Sequence, residues 1–334
     1  MVVAPEGKAV FEVGRTISSR FEILEKLGQG GAATSWKVRD IYKEGSLKVL
    51  KQLHPDYPYE MALKEIGRAS NLNHPGCSKA REVQEEPAPG FLISEFVPGV
   101  TLLEKSKEAG FGIREARAIA KQCLGILSYI HQENFVHGDI SPKNVIVGDD
   151  GKVTLIDFGL LAEIGKTLQG GTPATLAPEV IAGKPLSAQS DLYSLGSTIV
   201  RILLGRQPNQ SVDSEGKTEL VPQELTPTEI QQWGEEGEAF LNVFLKCADP
   251  KPTNRYQSAQ DVLSGIQKAL PTPVAKLPKK DSAPLVNPIV ASIRSLYTRS
   301  TAGAANTLGL GSSFASETYA VSYTHLTLPT KRIV

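Results

Sequence analysis

The chain has 334 residues, of which 40% are apolar and 22% charged, as in globular proteins that bury a core. Its 36 basic and 36 acidic residues balance, which gives no electrostatic case for nucleic acid or an anionic membrane as a partner. Three scattered cysteines without a C-x-x-C pair argue against a disulfide framework or a zinc site. Without a signal-peptide pattern or a run of about 18 apolar residues, we expect a cytoplasmic protein with no membrane segment.

The first hundred residues have the pattern of short strands. Phe21–Leu27 alternates apolar and polar side chains before Gly28-Gln29-Gly30-Gly31 interrupts the run. Residues 58–72 carry apolar side chains at near-helical spacing, which predicts a helix. Further strands are predicted at Ser35–Arg39, Ser46–Leu50, Arg81–Val83 and Phe91–Val97.

The periodicity becomes helical after Gly99. Residues 113–132 form an amphipathic pattern, and further helices are predicted at 190–204, 235–247 and 258–269. Two short apolar strands, Asn144–Val147 and Val153–Ile156, flank a turn and predict a hairpin. The predicted buried side of the helix over 113–132 consists of Ala118, Ile119, Cys123, Ile126, Leu127 and Ile130.

The ends of the chain differ from its centre. Residues 1–19 are expected to form an N-terminal extension, and residues 271–284 a linker rich in proline and lysine. Residues 285–320 have low complexity or begin a further domain. Residues 321–334 resemble the translation of a sequencing adapter, so we expect a non-native tail and a longer natural protein.

A glycine-rich turn and a lysine suggest phosphate binding. Glycines let backbone N–H groups approach phosphate oxygens, although such a motif alone is more often an ordinary glycine hairpin. Lys48 lies in the apolar stretch Leu47–Leu50, and Glu65 on the following helix is a natural ion-pair partner. Such a pair would direct the ammonium group at a di- or triphosphate, whereas each residue alone would be an ordinary surface charge.

Three polar residues follow at a spacing suited to proton transfer and metal binding. Asp139 precedes Asn144 by five residues in a loop that leads into a strand, so the carboxylate can accept a hydroxyl proton while the amide holds a metal ion. Asp157, at the end of the second hairpin strand, is well placed to bind Mg²⁺, which prefers oxygen ligands.

The ordered segments resemble the eukaryotic-type Ser/Thr protein kinase family in its bacterial form, over residues 20–270. The resemblance implies an α+β, bilobal protein-kinase fold, with a small antiparallel β-sheet N-lobe carrying one main helix and a larger, mainly helical C-lobe. The segments that carry it downstream are Asp157-Phe158-Gly159, Ala177-Pro178-Glu179, Ser190-Asp191-Leu192-Tyr193-Ser194-Leu195-Gly196 and Asp249-Pro250 with Arg255.

The resemblance also implies a role for each matching residue, with ATP and Mg²⁺, or Mn²⁺, as cofactors. Asp139 would deprotonate the substrate hydroxyl while Lys143 steadies the γ-phosphate, and Asn144 and Asp157 would bind the metal ion. Lys48, held by Glu65, would contact the α- and β-phosphates, and Arg255 would pair with Glu179. The nucleotide would be bound by Leu27, Gly28, Gly30, Gly31, Glu95 and Val97.

Three departures from the family pattern bear on regulation and nucleotide binding. Ala33 and Ser35 replace a glycine and a valine of the glycine-rich loop, which could loosen nucleotide binding. Gly138 replaces the arginine that usually precedes the catalytic aspartate, so a phosphate on the activation loop would lack its basic partner. We therefore hypothesise that residues 160–176 adopt their active form without phosphorylation.

Two alternatives to a protein kinase stay open. The His-Gly-Asp sequence also occurs in small-molecule kinases that resemble aminoglycoside phosphotransferases, and the substitutions would suit a pseudokinase that binds nucleotide as a scaffold. A protein kinase would act on Ser or Thr of a protein substrate and could form a transient homodimer for autophosphorylation. The candidate acceptors within the chain are Thr167, Thr172 and Thr175.

Overall fold

The computed structural model describes residues 11–57, 59–85, 90–167, 170–208, 210–212, 218–220 and 224–270. The N-terminal lobe is a six-stranded antiparallel sheet with strand order β1-β2-β3-β4-β6-β5, accompanied by helix α1 (Tyr59–Ala69). Its strands are β1 (Thr16–Ile17), β2 (Phe21–Gln29), β3 (Ala33–Asp40), β4 (Ser46–Leu53), β5 (Ala80–Gln84) and β6 (Phe91–Glu95).

The core of this lobe includes residues that precede the predicted domain start. Phe11 and Ile17 are buried and pack in one cluster with side chains of the sheet. The lobe therefore begins before residue 20, and part of the predicted extension over 1–19 belongs to it. The sequence carries no periodic signal for this earlier start, because the apolar residues are isolated and the segment has only a two-residue strand. The sheet side chains of the cluster are Phe21, Ile23, Trp36, Val38, Leu50, Phe91 and Ile93.

The second lobe is mainly helical. Its long helices confirm the predicted ones, with Gly234 in a positive-φ conformation that breaks the third of them into two parts. Its helices are α2 (Leu102–Lys105), α3 (Ile113–Gln132), α4 (Pro178–Ile181), α5 (Ala188–Leu204), α6 (Pro227–Cys247) and α7 (Ala259–Ala269). Its strands are β7 (Val100–Thr101), β8 (Phe135–Val136), β9 (Val145–Val147), β10 (Val153–Leu155), β11 (Ala162–Glu163), β12 (Gln210–Val212) and β13 (Thr218–Leu220).

Helix α3 runs through the core of this lobe. Its buried side includes Cys123, Leu127 and Ile130, as predicted. The prediction for Ala118 was wrong, because this residue is exposed and Ala116 lies buried instead. At about 100° per residue, position 118 points nearly opposite to position 127, so it cannot share the apolar side.

The predicted bilobal α+β architecture is confirmed. The three cysteines are free and buried. Within the described ranges, no helix combines the length and apolar character needed to cross a bilayer. The predicted linker, low-complexity segment and non-native tail, over 271–334, lie outside the described residues.

Candidate active site

A short loop between β8 and β9 places an aspartate beside an asparagine. Asn144 Nδ2 donates to both Asp139 Oδ2, at 2.8 Å, and the Asp139 carbonyl oxygen, at 2.9 Å. The backbone N–H of Thr172 donates to Asp139 Oδ1 at 2.8 Å. Both amide hydrogens of Asn144 are therefore used by Asp139, which leaves its amide oxygen as a candidate metal ligand. The predicted proximity of the two side chains is present.

Asp191, near the start of α5, holds the backbone of this loop. Its carboxylate accepts hydrogen bonds from the N–H groups of His137 and Gly138, at 2.8 and 3.0 Å, and contacts His131 Nε2 at 2.9 Å. Burial opposes ionisation of Asp191, but these hydrogen bonds and the nearby His131 outweigh it and hold the pKa of the carboxyl below its usual value. The anchored backbone fixes where Asp139 points.

Asp157 lies at the junction of the two lobes, after β10. Its Oδ1 accepts a hydrogen bond from Lys51 Nζ at 2.5 Å, and its side chain keeps 42% of its surface exposed. Burial of the carboxyl raises its pKa, yet the charge of Lys51 outweighs that effect and the pKa lies below the usual value. Asp157 is thus an anion that can bind a metal ion.

The prediction for Lys48 is contradicted by the structure, which places Lys51 in the site. The two lysines are three residues apart in β4, so their side chains point to opposite faces of the sheet. Lys51 reaches Asp157. Lys48 is opposite Glu95 in the β4–β6 ladder and faces a cavity of about 200 Å³ away from Asp157. The other residues that line this cavity are Arg20, Asp40, Lys43, Glu82, Ile93 and Glu95.

Sequence reasoning missed Lys51 because the predicted strand ended at Leu50. The strand continues to Leu53, so Lys51 lies within it, on the face opposite to that of the buried Leu50. Glu65, the predicted partner of the lysine, lies on α1, but its side chain is outside the described part of the structure.

The glycine-rich turn joins β2 to β3. A Cβ atom built on Gly28 or Gly31 would meet no protein atom within 4 Å, and neither glycine has a positive φ. Neither packing within the protein nor backbone strain therefore requires glycine here, which fits a backbone that an external group approaches closely. Leu27, with 44% of its surface exposed, precedes this turn and offers an apolar surface.

The remaining predicted site residues are distributed around the same region. The Glu95 N–H donates to the Lys79 carbonyl at 3.0 Å, so this N–H is engaged within the sheet. Val97 is half-buried in the segment that follows β6, and Lys143 is exposed beside Asn144.

The segment after Asp157 packs directly on the catalytic loop, the connection between β8 and β9 that carries Asp139 and Asn144. Gly138 has φ of +81°, and a Cβ atom there would lie 2.6 Å from the Leu160 carbonyl oxygen. Gly171 lies close to the same leucine, because a Cβ atom on it would approach Leu160 Cδ1 to 3.6 Å. Arg68 of α1 donates to the Leu161 carbonyl at 3.0 Å, which links this segment to the N-terminal lobe.

A buried ion pair fixes the far end of that segment. Arg255 donates to both carboxylate oxygens of Glu179, at 2.7 and 2.8 Å, which confirms the predicted pair. The guanidinium also donates to three backbone carbonyls, so the buried charges are well satisfied. Thr175, between Thr172 and Glu179, has only 1% of its surface exposed.

The site has a glycine-rich hairpin, a lysine paired with an aspartate, and an Asp–Asn loop, placed between a sheet lobe and a helical lobe. This arrangement is typical of the protein kinase fold. The chain matches the protein kinase domain family over residues 21–265 and belongs to it. The predicted family is thereby confirmed.

Bacterial Ser/Thr protein kinases are among its relatives. The chain is 29% identical to PrkC of Bacillus subtilis over 77% of its own length, and 31% identical to the DNA damage-responsive kinase RqkA of Deinococcus radiodurans over 72%. It is 28% identical to PknB of Mycolicibacterium smegmatis over 75%. The matches cover 41%, 38% and 43% of these relatives, so the chain spans about two fifths of their length.

Proposed function

We propose that this chain transfers the γ-phosphoryl group of ATP to Ser and Thr hydroxyls of protein substrates. The observation that carries the proposal is the approach of Lys51 to Asp157 across the lobes, beside the Asp139–Asn144 pair. Family members catalyse such transfer by positioning and charge stabilisation. The Ala-Pro-Glu segment and its partner Arg255 favour a protein acceptor over a small molecule.

The side chains divide the work as follows. Asp139 orients the acceptor hydroxyl and takes its proton, since each carboxylate oxygen keeps a lone pair beyond its bond to Thr172 or Asn144. Lys51 contacts the α- and β-phosphates in place of Lys48, and Lys143 contacts the γ-phosphate. The base lies between Leu27 and the backbone of Glu95 and Val97.

Asn144 and Asp157 are the residues that would hold Mg²⁺, and Mn²⁺ as an alternative. An amide oxygen and a carboxylate are oxygen donors of the kind that Mg²⁺ prefers. Among the described residues, no group of three or more His, Cys, Asp or Glu could bind a metal ion by itself. The nucleotide phosphates would therefore complete the ligand set. Bound there, the ion would neutralise charge on the transferred group.

We further propose that the chain is active without phosphorylation of the segment over residues 160–176. Gly138 admits the Leu160 carbonyl where a side chain would stand, so the segment is held against the catalytic loop by packing. Thr175 is buried and inaccessible as an acceptor in this conformation, whereas Thr167 is exposed. A transient homodimer in the cytoplasm could phosphorylate Thr167, but the activity would not require the phosphate on Thr167.

A phosphoryl-transfer assay on the full chain tests the activity. With labelled ATP, Mg²⁺ and a generic protein acceptor, we expect transfer to fall by about 10²–10⁴ in Asp139→Asn, because the general base is lost. Asp149→Asn, an exposed turn aspartate in the β9–β10 hairpin, is the matched control and should keep the parent rate. A folded parent that binds ATP but transfers nothing would instead indicate the pseudokinase, and transfer only to an aminoglycoside would indicate the small-molecule kinase.

The same assay on phosphatase-treated protein tests the regulatory part. Initial rates should match those of untreated protein, because the contacts around Gly138 involve no phosphate. A lag that shortens as Thr167 or Thr172 becomes phosphorylated, followed by mass spectrometry, would show that phosphorylation activates the chain.

A further inference from the structure

His54 touches the tip of the glycine-rich turn at three points. Its backbone N–H donates to the Ala32 carbonyl at 2.8 Å, and its Nδ1 lies 3.0 Å from the Gly31 carbonyl. Its Nε2 lies 3.3 Å from Thr34 Oγ1. A carbonyl only accepts, so Nδ1 carries the proton, and in the neutral ring Nε2 then accepts from the Thr34 hydroxyl.

The position of His54 makes this contact stiff. It follows directly on β4, the strand that carries Lys51, and the β3–β4 ladder ends one residue earlier at the pair of Ala33 with Leu53. Pro55 comes next, and a residue before proline is restricted to extended conformations. His54 therefore connects the turn directly to the end of β4, the strand that holds Lys51.

The turn is also held by the β2–β3 ladder, which reaches the pair of Gln29 with Thr34, and by a hydrogen bond from the Gly30 N–H to the Ala33 carbonyl at 2.9 Å, but its side chains add little packing. Its residues from Gly28 to Ala33 are small apart from Gln29, and a Cβ atom on Gly28 or Gly31 would touch nothing. A glycine-rich turn without side-chain packing loses conformational entropy when it closes over a ligand. Hydrogen bonds that hold it in advance reduce that cost and raise the populated fraction of the binding conformation.

We propose that His54 is a positioning residue that holds the glycine-rich turn over the nucleotide phosphates through Gly31 and Thr34. The inference rests on the proposed nucleotide-dependent function of the same site. Because the turn covers phosphates and not the base, His54 should contribute to the affinity for ATP and leave the affinity for adenosine unchanged.

Nucleotide titrations of the full chain and its variants test this. In His54→Ala we expect the Kd for Mg-ATP to rise about 5- to 50-fold, the effect of losing two hydrogen bonds, with the Kd for adenosine unchanged. Thr34→Val removes one bond and should show a smaller rise, whereas Thr34→Ser keeps the hydroxyl and should match the parent. His54→Asn retains a donor near the Gly31 carbonyl and should recover part of the affinity.

Thermal unfolding of each variant accompanies the titrations. If it shows a folding defect in His54→Ala, the Kd of His54→Asn decides the role of His54. A Kd for ATP within twofold of the parent in both His54 variants would overturn the inference, as would equal losses for ATP and adenosine. The readout is binding, so it is separate from the transfer assay. A parent that prefers ATP to adenosine but transfers no phosphate would overturn the activity while the variants still decide the role of His54.

Discussion

Lys51 and Lys48 lie on one strand with opposite orientations and therefore form a matched pair for mutation. We expect Lys51→Met to lower kcat/KM for phosphoryl transfer by at least about 10²-fold, because a charge that contacts the phosphates in the transition state is lost. Lys48→Met should remain within about threefold of the parent, since Lys48 faces the opposite side of the sheet.

Steady-state kinetics with saturating protein acceptor measure both variants, and thermal unfolding shows that each is folded. A larger loss in Lys48→Met than in Lys51→Met would contradict the assignment drawn from the contact between Lys51 and Asp157.

The sequence predicted those site residues that lie close to one another along the chain. Asp139 and Asn144 lie five positions apart in one loop, and the hairpin that follows returns the chain to Asp157, so spacing alone indicated their proximity. To identify the lysine of the site, one must know which face of the strand it lies on, and a one-residue error in register inverts that face. Lys48 precedes Leu50 by two residues and Lys51 follows it by one, and because the predicted strand ended at Leu50, only Lys48 fell within it.

The segment after β10 is the element whose position decides the state of the site, and Gly138 is where it meets the catalytic loop. In Gly138→Ala the new Cβ atom would conflict with the Leu160 carbonyl and displace the segment, in addition to the strain of a positive φ. We expect kcat for the protein acceptor to fall at least tenfold while the Kd for ATP stays within about threefold, because the nucleotide contacts lie elsewhere.

Gly151→Ala is the control for this variant. Gly151 also has a positive φ, of +76°, but a Cβ atom there would meet nothing within 4 Å. It should therefore cost only about 1 kcal/mol of stability and leave kcat unchanged. Equal kinetic losses in both variants would show that backbone strain, and not the contact with Leu160, explains the effect of Gly138→Ala.

Sequence periodicity was sufficient to predict a helix where that helix has one apolar side. The bounds predicted for the helix over 113–132 agree with the structure, whereas the 190–204 and 258–269 predictions each begin one or two residues away from the observed helix start. The 235–247 prediction covers only the second part of α6, because the non-helical backbone of Gly234, with its positive φ, interrupts the helix. Sequence periodicity across such a kink has no single phase.

In the whole molecule, two lobes were predicted from the change of periodicity near Gly99, and the structure confirms them. The N-terminal boundary was missed for a physical reason, since Phe11 and Ile17 enter the core singly, outside any long element. Long-range packing of this kind leaves no local pattern in a sequence.

Phe11 provides the test of that boundary. Its side chain has 9% of its surface exposed, whereas Val13, two residues on, has 63% exposed. Phe11→Ala should lower the free energy of unfolding by about 3–5 kcal/mol, as for other buried phenylalanines, and Val13→Ala should change it by less than about 0.5 kcal/mol. Urea unfolding followed by tryptophan fluorescence reports on this cluster through Trp36, and on the core of the second lobe through Trp233.

The loss of packing in Phe11→Ala should also affect the site. The cluster that holds Phe11 lies on the face of the sheet shared by Leu50, and the next residue, Lys51, points to the site. Loosening of that packing should therefore reach β4 and raise the Kd for ATP in Phe11→Ala even at temperatures where the variant is folded. If the two substitutions changed the stability equally, residues 11–17 would be an appendage, and the domain would begin near Arg20 as the sequence pattern alone suggests.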